Sequence, residues 1–272
     1  MSASPAVVLL NSFHPRRFDA RLAPYLHRTL FCDARHAAVC ELASELIVAG
    51  DARATAVAMF EWVRDTVVFC FGPWGTTASH TLTVAQGTGT NKTNLLVALW
   101  RAVGIPGAYE IRSIDAQRCW GPIAPRWLAR HANPYSVQFH AAAHLDGRWV
   151  RADAACDRQL ADRAQHICRP CHLVEWDGSV DRVDTLDPEH IHACVGLHAN
   201  ADEWLAKPAR HATPQALEHA NRYLRFIRDH PPFPDAPSIH AAYQRTRDYD
   251  AGIEYFRHYM LERDINPTEE TQ

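Results

Sequence analysis

The side chains best suited to chemistry sit on one stretch near the middle of the chain. The runs YSVQFHAAAHL and RWVRADAAC alternate, and Asp146-Gly147 lies between them. Such a pair between two alternating runs is the strongest short-range signal for a β-hairpin. The hairpin would carry Gln138, His140 and His144 on one face of its first strand and Asp153 at the end of its second. His140 and Asp153 would then serve as base and acid. A second reading makes His140 and His144 a metal pair, completed by Asp153 or another histidine. A third leaves the histidines lining a polar groove or an exposed face, with Asp153 tying down the sheet edge.

Two further groups carry chemical types. Cys168-Arg169-Pro170-Cys171-His172 has the haem-attachment pattern C-x-x-C-H. Haem attachment needs an exported chain, and MSASPAVVLLNSFHPRR has a short apolar run with no basic region before it, which argues against a signal peptide. A zinc site there would need further ligands from His166, His190, His192 or Cys194; free thiols in a loop are the plainer alternative. Trp120 and Trp127, with Arg118, Arg126 and Arg130, would wall a substrate cleft or act as packing anchors.

The elements that must position these groups are readable. Residues 36–70 are helical in pattern. HAAVCELASELIVAG runs to Gly50 as a C-cap, and ATAVAMFEWVRDTVVF places Val57, Phe60, Trp62 or Val63, and Val67 at helical spacing. The glycine- and threonine-rich FGPWGTTASHTLTVAQGTGTN predicts a loop. LLVALWRAVG, closed by Gly104 and Pro106, is apolar almost all round and so predicts a central helix. AYEIRSI is a strand, Val7–Leu10 a short strand candidate, and 112–133 a long irregular connection of the kind that is functional or mobile. PQALEHANRYLRFIRDH and IHAAYQRTRDYDAGIEYFRHYMLERD predict two helices about the proline linker HPPFPDAP. The fold class is α+β: helices first, a small antiparallel sheet after, and a helical C-terminal pair. The expected domains are 1–203 and a helical extension, 204–272, packed on it.

Bulk properties narrow the function classes. With 272 residues, 47% of them hydrophobic, the chain can bury a sizeable core. A net charge of -3 gives no reason to expect nucleic acid or an anionic membrane as partner. No apolar run approaches the ~20 residues of a spanning helix. The eight cysteines are scattered, as expected of reduced thiols in a cytoplasmic protein.

Three stretches, taken in order, resemble the transglutaminase-like superfamily, which shares the papain-like fold. VAQGTGTNKTNLLVALWRAVGIPGAYE resembles its nucleophile segment, in which a cysteine leads into a helix ending R-A-x-G-I-P. HLDGRWVRADAAC resembles its hairpin, and HLVEWDGSVD resembles a D-G-x-x-D element of one bacterial branch. LHRTLFCDARHAAV and MFEWVRDTVVF resemble upstream parts of that branch, so the likeness covers roughly residues 22–200. The resemblance implies a thiolate at a helix N-terminus, a histidine from the hairpin and an orienting aspartate. No cofactor is implied, and a divalent metal is left open.

Counting back from Lys92 and Leu95-Leu96 puts Gly89 at the cysteine position. Counting from Leu145-Asp146-Gly147 puts Gln138 at the histidine position and Asp153 at the acid. The order is intact, but two of the three groups are gone. Cys70 and Cys119 flank Gly89 in sequence too distantly to replace the thiol. Glycine keeps the helix start open to a ligand. Thr88, Gly89, Thr90, Asn91, Lys92 and Trp120 are therefore the expected substrate-binding residues, and Asp153, His140 and Gln138 the expected catalytic ones. Helix capping is the alternative role for Asn91 and Lys92.

Three functions follow. The first is an enzyme of bacterial biosynthesis acting without a thiol on an acyl, amide or amino-acid-derived substrate. The second is a pseudoenzyme holding a peptide or carrier-protein segment in the old cleft. The third is an assembly partner through the C-terminal helices, with a homodimer left open.

Overall fold

The computed structural model describes residues 19–129, 135–183, 185–207 and 213–265. The strand candidate at Val7–Leu10 and Arg130 lie outside them, as does the side chain of Arg126.

Helix α1 (Ala37–Glu45) stops short of Gly50. After it the Val48 amide donates to Thr55 Oγ1 at 2.9 Å, so the chain turns early. Helix α2 (Ala52–Thr66) starts at Asp51, whose carboxylate accepts the Ala54 amide, and buries Met59, Phe60 and Val63. The expected loop after it holds a two-residue strand β1 (Val68–Phe69), helix α3 (Ala78–Val84) and β2 (Gln86–Gly87), which pairs with β1 in parallel. Thr77 caps α3, a local signal that the abundance of Gly and Thr nearby obscured.

Helix α4 (Gly89–Ala102) is the axis of the domain, with Leu95, Leu96, Val97, Leu99 and Trp100 all fully buried. Its far end is tied by Arg101, which donates to the carbonyls of Gly107, His27 and Ala199. Against it lies an antiparallel sheet of order β5-β4-β3-β6: β3 (Gly107–Ile114), β4 (Ser136–Leu145), β5 (Arg148–Ala152) and β6 (Ile191–His198). The β4–β5 turn is the expected tight one, with φ of 50° at Asp146 and 82° at Gly147. Edge strand β6 was not foreseen. IHACVGLH lacks clean alternation, and its register against β3 is interrupted twice. Residues 112–114 of the expected irregular connection extend β3; the rest contains α5 (Ala116–Trp120) and one turn at Arg126–Ala129.

Helix α6 (Arg158–Ala164) leads into a second core, covered by α7 (Pro214–Asp229), α8 (Ala236–Tyr243) and α9 (Arg247–Ile265). The final predicted helix is thus two. It breaks after Tyr243, and Thr246 Oγ1 accepts the Tyr249 amide to start the next. Trp204 and Leu205 pack with the first core, and the C-terminal helices of the second begin at Pro214.

Specific polar links dock this layer. Asp157 Oδ2 accepts the Phe69 amide at 2.8 Å and pairs with Arg228 at 2.7 Å. Asn221 makes reciprocal bonds with the backbone N–H and C=O of Phe71, both 2.8 Å. Tyr223 OH donates to the Ile123 carbonyl.

Candidate functional site

Gly89 is the first residue of α4. Thr88 caps the helix through its hydroxyl, which accepts the Asn91 amide at 3.1 Å, while Asn91 Oδ1 accepts the Thr88 amide at 2.9 Å. The Lys92 amide goes to the Thr88 carbonyl. By position, the amides of Gly89 and Thr90 have no carbonyl within the helix. A β-carbon on Gly89 would lie 2.9 Å from Ala155 Cβ and 4.0 Å from Gln138 Nε2. Ala155 in turn donates its amide to Asp153 Oδ1 at 2.9 Å. The helix start, the first strand of the hairpin and the segment after β5 therefore meet, and Gly89, Gln138 and Asp153 come together.

Asp153 lies one layer behind that meeting point. Its amide bonds the Arg182 carbonyl, and Thr185 Oγ1 donates to Oδ2. His140, fully buried, sits between two carboxylates: Nε2 is 3.4 Å from Asp153 Oδ2 and Nδ1 is 3.7 Å from Glu110 Oε2. Neither ring nitrogen meets hydrogen-bond geometry, so these contacts are electrostatic. Burial acts to lower the His140 pKa, but Asp153 and Glu110 outweigh it and raise the net value. Burial acts to raise Asp153; His140, Thr185 and the Ala155 amide hold it below its ordinary range. Glu110 is brought down to about 2 against burial by His140, Arg112 and Arg151. Arg151 also pairs with Asp181 of the D-G-x-x-D element at 2.9 Å.

In front of Gly89 opens a cavity of about 290 Å³. Thr88, Thr90, Ser136, Gln138 and Thr185 form its polar part, beside Gly89 and Ala155. Aromatic and aliphatic residues form the rest: Phe69, Phe71 and Trp120 from the core side, and Ala216, Ala220, Tyr223, Leu224, Ile227 and Phe256 from the C-terminal helices.

The model of the transglutaminase-like superfamily matches residues 41–154, a range that spans α2, Gly89, Gln138 and Asp153. Residues 41–154 belong to the transglutaminase-like superfamily. Among solved structures, a candidate cysteine protease from Cytophaga hutchinsonii aligns with a TM-score of 0.46 at 17% identity. The alignment covers 71% of this chain and 52% of that one, so this chain spans about half the length of that structure. No curated protein matches the chain.

The expected residues are placed unevenly around the cavity. Gly89, Thr88, Thr90, Gln138 and Trp120 line the cavity, but His140 and Asp153 are not among its described lining residues. Asn91 is turned back into the cap and donates to the carbonyls of Pro73 and Trp74. Lys92 points away from the cavity altogether. Its Nζ donates to the carbonyls of Arg64 (3.1 Å) and Val67 (2.6 Å) and closes the end of α2. Burial lowers its pKa to about 8. An anion-binding role for Asn91 and Lys92 at the helix start is thus corrected to capping and helix closure.

The metal readings are corrected too. His140 and His144 stand four residues apart on one strand, about 13 Å at strand rise, and cannot share an ion. His144 packs edge-on against Trp149. Among the described residues no group of three or more His, Cys, Asp and Glu side chains is placed to hold a metal ion, at Cys168 and Cys171 or elsewhere. Both thiols are buried about a short turn, Arg169–Cys171. Trp127 is likewise a packing anchor, set among Phe256, Tyr249 and His219.

The sequence reading missed two thiols. Cys156 and Cys171 both line the cavity, although neither is near Gly89 in sequence. The position of Cys156 just after Asp153 was the available signal. Cys156 Sγ donates to the Cys171 carbonyl at 3.1 Å. Burial pushes its pKa well above that of an ordinary thiol, as does the neighbouring Asp157 carboxylate. The Cys171 thiol is raised by its hydrogen bond with Cys168 and by burial. Neither is the activated thiolate that this chemistry requires.

Proposed function

We propose that this transglutaminase-like protein binds a small acyl or amide ligand in the old cleft and does not attack it through a thiol. One observation carries the reading: the Ala155 methyl fills the space into which a side chain at position 89 would project. The closure leaves the parts that grip a ligand. The amides of Gly89 and Thr90 receive a carbonyl oxygen at the helix start. Gln138 supplies a donor and an acceptor beside them. The apolar wall supplied by α7 and α9 takes the rest of the ligand. The apolar residues of α7 are turned inward to that wall and to the second core, which leaves an assembly role without support from them. Differential scanning fluorimetry and calorimetry against neutral amides and esters test the reading: one ligand bound per chain supports it, and turnover of such esters through an adduct on Cys156 or Cys171 refutes it.

A second reading, non-thiol catalysis, has one observation in its favour. Thr185 lines the cavity and donates to Asp153, which faces His140. A proton could pass from the cavity wall to a buried carboxylate–imidazole pair along that line. Loss of any measured turnover on both Asp153→Asn and Thr185→Val, with binding kept, would favour it. Bacterial biosynthesis of small acylated or amidated compounds is the setting we propose for either reading.

A further inference from the structure

Charge is missing from the cavity wall. Among the described residues that line it there is no Asp, Glu, Lys, Arg or His. The ionised groups just behind it are turned away and matched. Lys92 serves the end of α2, Asp153 the Ala155 amide and Thr185, and Asp157 the Phe69 amide and Arg228. The polarity that remains is neutral: the hydroxyls of Thr88, Thr90, Ser136, Thr185 and Tyr223, the thiols of Cys156 and Cys171, the Gln138 carboxamide and the first-turn amides of α4. Phe69 and Trp120 stack at 5.3 Å with their planes 9° apart, and Phe71 stands edge-on to Trp120 at 5.6 Å.

Two effects compete for the sign of a ligand's polar group. The start of α4 favours negative charge, since its amides carry roughly half a unit of positive charge. Against that, the cation nearest the helix start, Lys92, is directed elsewhere, and the Asp153 carboxylate lies one layer behind Thr185 and Ala155. An anion here would meet the partial positive charge of the amides in front, but no side-chain cation on the wall, and behind it only groups already matched to partners. A cation would have no carboxylate to pair with on the wall. Burying a charge without a partner is strongly disfavoured, whereas a neutral carbonyl facing two amides is well matched.

From this we infer that the occupant is an uncharged amphiphile. It has an aryl or branched alkyl body and one neutral carbonyl, amide or hydroxyl group, with no carboxylate, phosphate or ammonium inside the cavity. The inference rests on the binding reading above and sharpens it, since free fatty acids, amino acids and phosphate esters are excluded as buried ligands.

Two dyes with the same aromatic body separate the cases. N-phenylnaphthylamine is neutral; anilinonaphthalene sulfonate adds one negative charge. Fluorescence titration of the full chain should show the neutral dye bound once per chain and at least about tenfold tighter than the sulfonate. Ala220→Trp, which fills the cavity from α7, should abolish the signal. Gln138→Lys places a cation on the wall and should swing the preference toward the sulfonate by about tenfold or more, a test that needs no large side chain in the core. If the sulfonate binds wild type as tightly as the neutral dye, and Ala220→Trp abolishes both signals, the uncharged-ligand inference is overturned while the binding reading stands. If Gln138→Lys leaves the preference unchanged, the dyes are elsewhere and the inference is overturned as well. If neither dye binds, the binding reading itself fails.

Discussion

The methyl group of Ala155 stands 2.9 Å from where a β-carbon on Gly89 would lie, inside normal carbon–carbon contact. The two residues face each other across the cleft, one from the start of α4 and one from the segment that follows β5. The Ala155 methyl therefore occupies the space into which a side chain at position 89 would project. Gln138 Nε2 sits at the same spot, 4.0 Å from that point. Gly89, Gln138 and Ala155 thus meet at one place.

Adding a side chain at Gly89 should therefore strain the fold. Gly89→Ala is expected to cost about 1–3 kcal/mol, the usual penalty of overpacking, despite the better helix propensity of alanine. Ala155→Gly in the same chain should recover part of it, with a coupling above about 0.5 kcal/mol in urea denaturation. Strict additivity of the two substitutions would mean that the methyl groups do not meet.

The buried charge cluster predicts a pH window for stability. His140 is raised above its ordinary 6.5, so its contribution is full below about that pH and is lost as pH rises through the higher folded value. Asp153 and Glu110 are lowered, Glu110 from 4.5 to about 2, so their share is full above about 4.5 and is lost as pH falls toward 2. All three contribute between about pH 4.5 and 6.5. Urea midpoints of the wild type should fall above that window, while His140→Gln should start lower and show no such fall. A variant that tracks the wild type at every pH would remove His140 from the account.

How much of this was legible in the sequence differs from residue to residue. The meeting of Gly89, Gln138 and Asp153 was readable because each is fixed by a short local count, one from the R-A-x-G-I-P helix end and two from the Asp146-Gly147 turn. The direction of Lys92 was not. A lysine at a helix start is the same text whether it faces a ligand or, as here, reaches inward to the open carbonyls of α2. Cys156 and Cys171 reach the cavity only through the packing of α6 and α7, which no local pattern encodes. His140 was assigned to the right face of β4, but burial against Glu110 depends on the β3 partner in register with it.

Lys92 gives a separate test. Lys92→Met leaves the Arg64 and Val67 carbonyls without their donor while removing a buried ammonium. Unsatisfied carbonyls at about 1–3 kcal/mol each outweigh that relief, so a net loss near 1–3 kcal/mol is expected at neutral pH. Because the folded pKa is about 8 against an ordinary 10.5, wild-type stability gains relative to the variant as pH rises from 8 toward 10.5. A difference between the two proteins that is flat in pH would contradict a buried, cationic Lys92.

Arg228 is the ionic anchor of the C-terminal layer. Arg228→Ala leaves Asp157 buried without its counter-charge and should cost about 3–5 kcal/mol. Hydrogen exchange should speed up along α7 well before it does in α4. Equal acceleration in both helices would mean that the second core does not open by itself.

The most direct test of a cleft that binds without attacking is intact-protein mass spectrometry after incubation with para-nitrophenyl butyrate, read together with nitrophenolate release. The account predicts no burst, no butyryl adduct at Cys156, Cys171 or Thr185, and saturable displacement of N-phenylnaphthylamine by the same ester. A stoichiometric burst with an adduct at one of these residues, lost in Asp153→Asn, would contradict it.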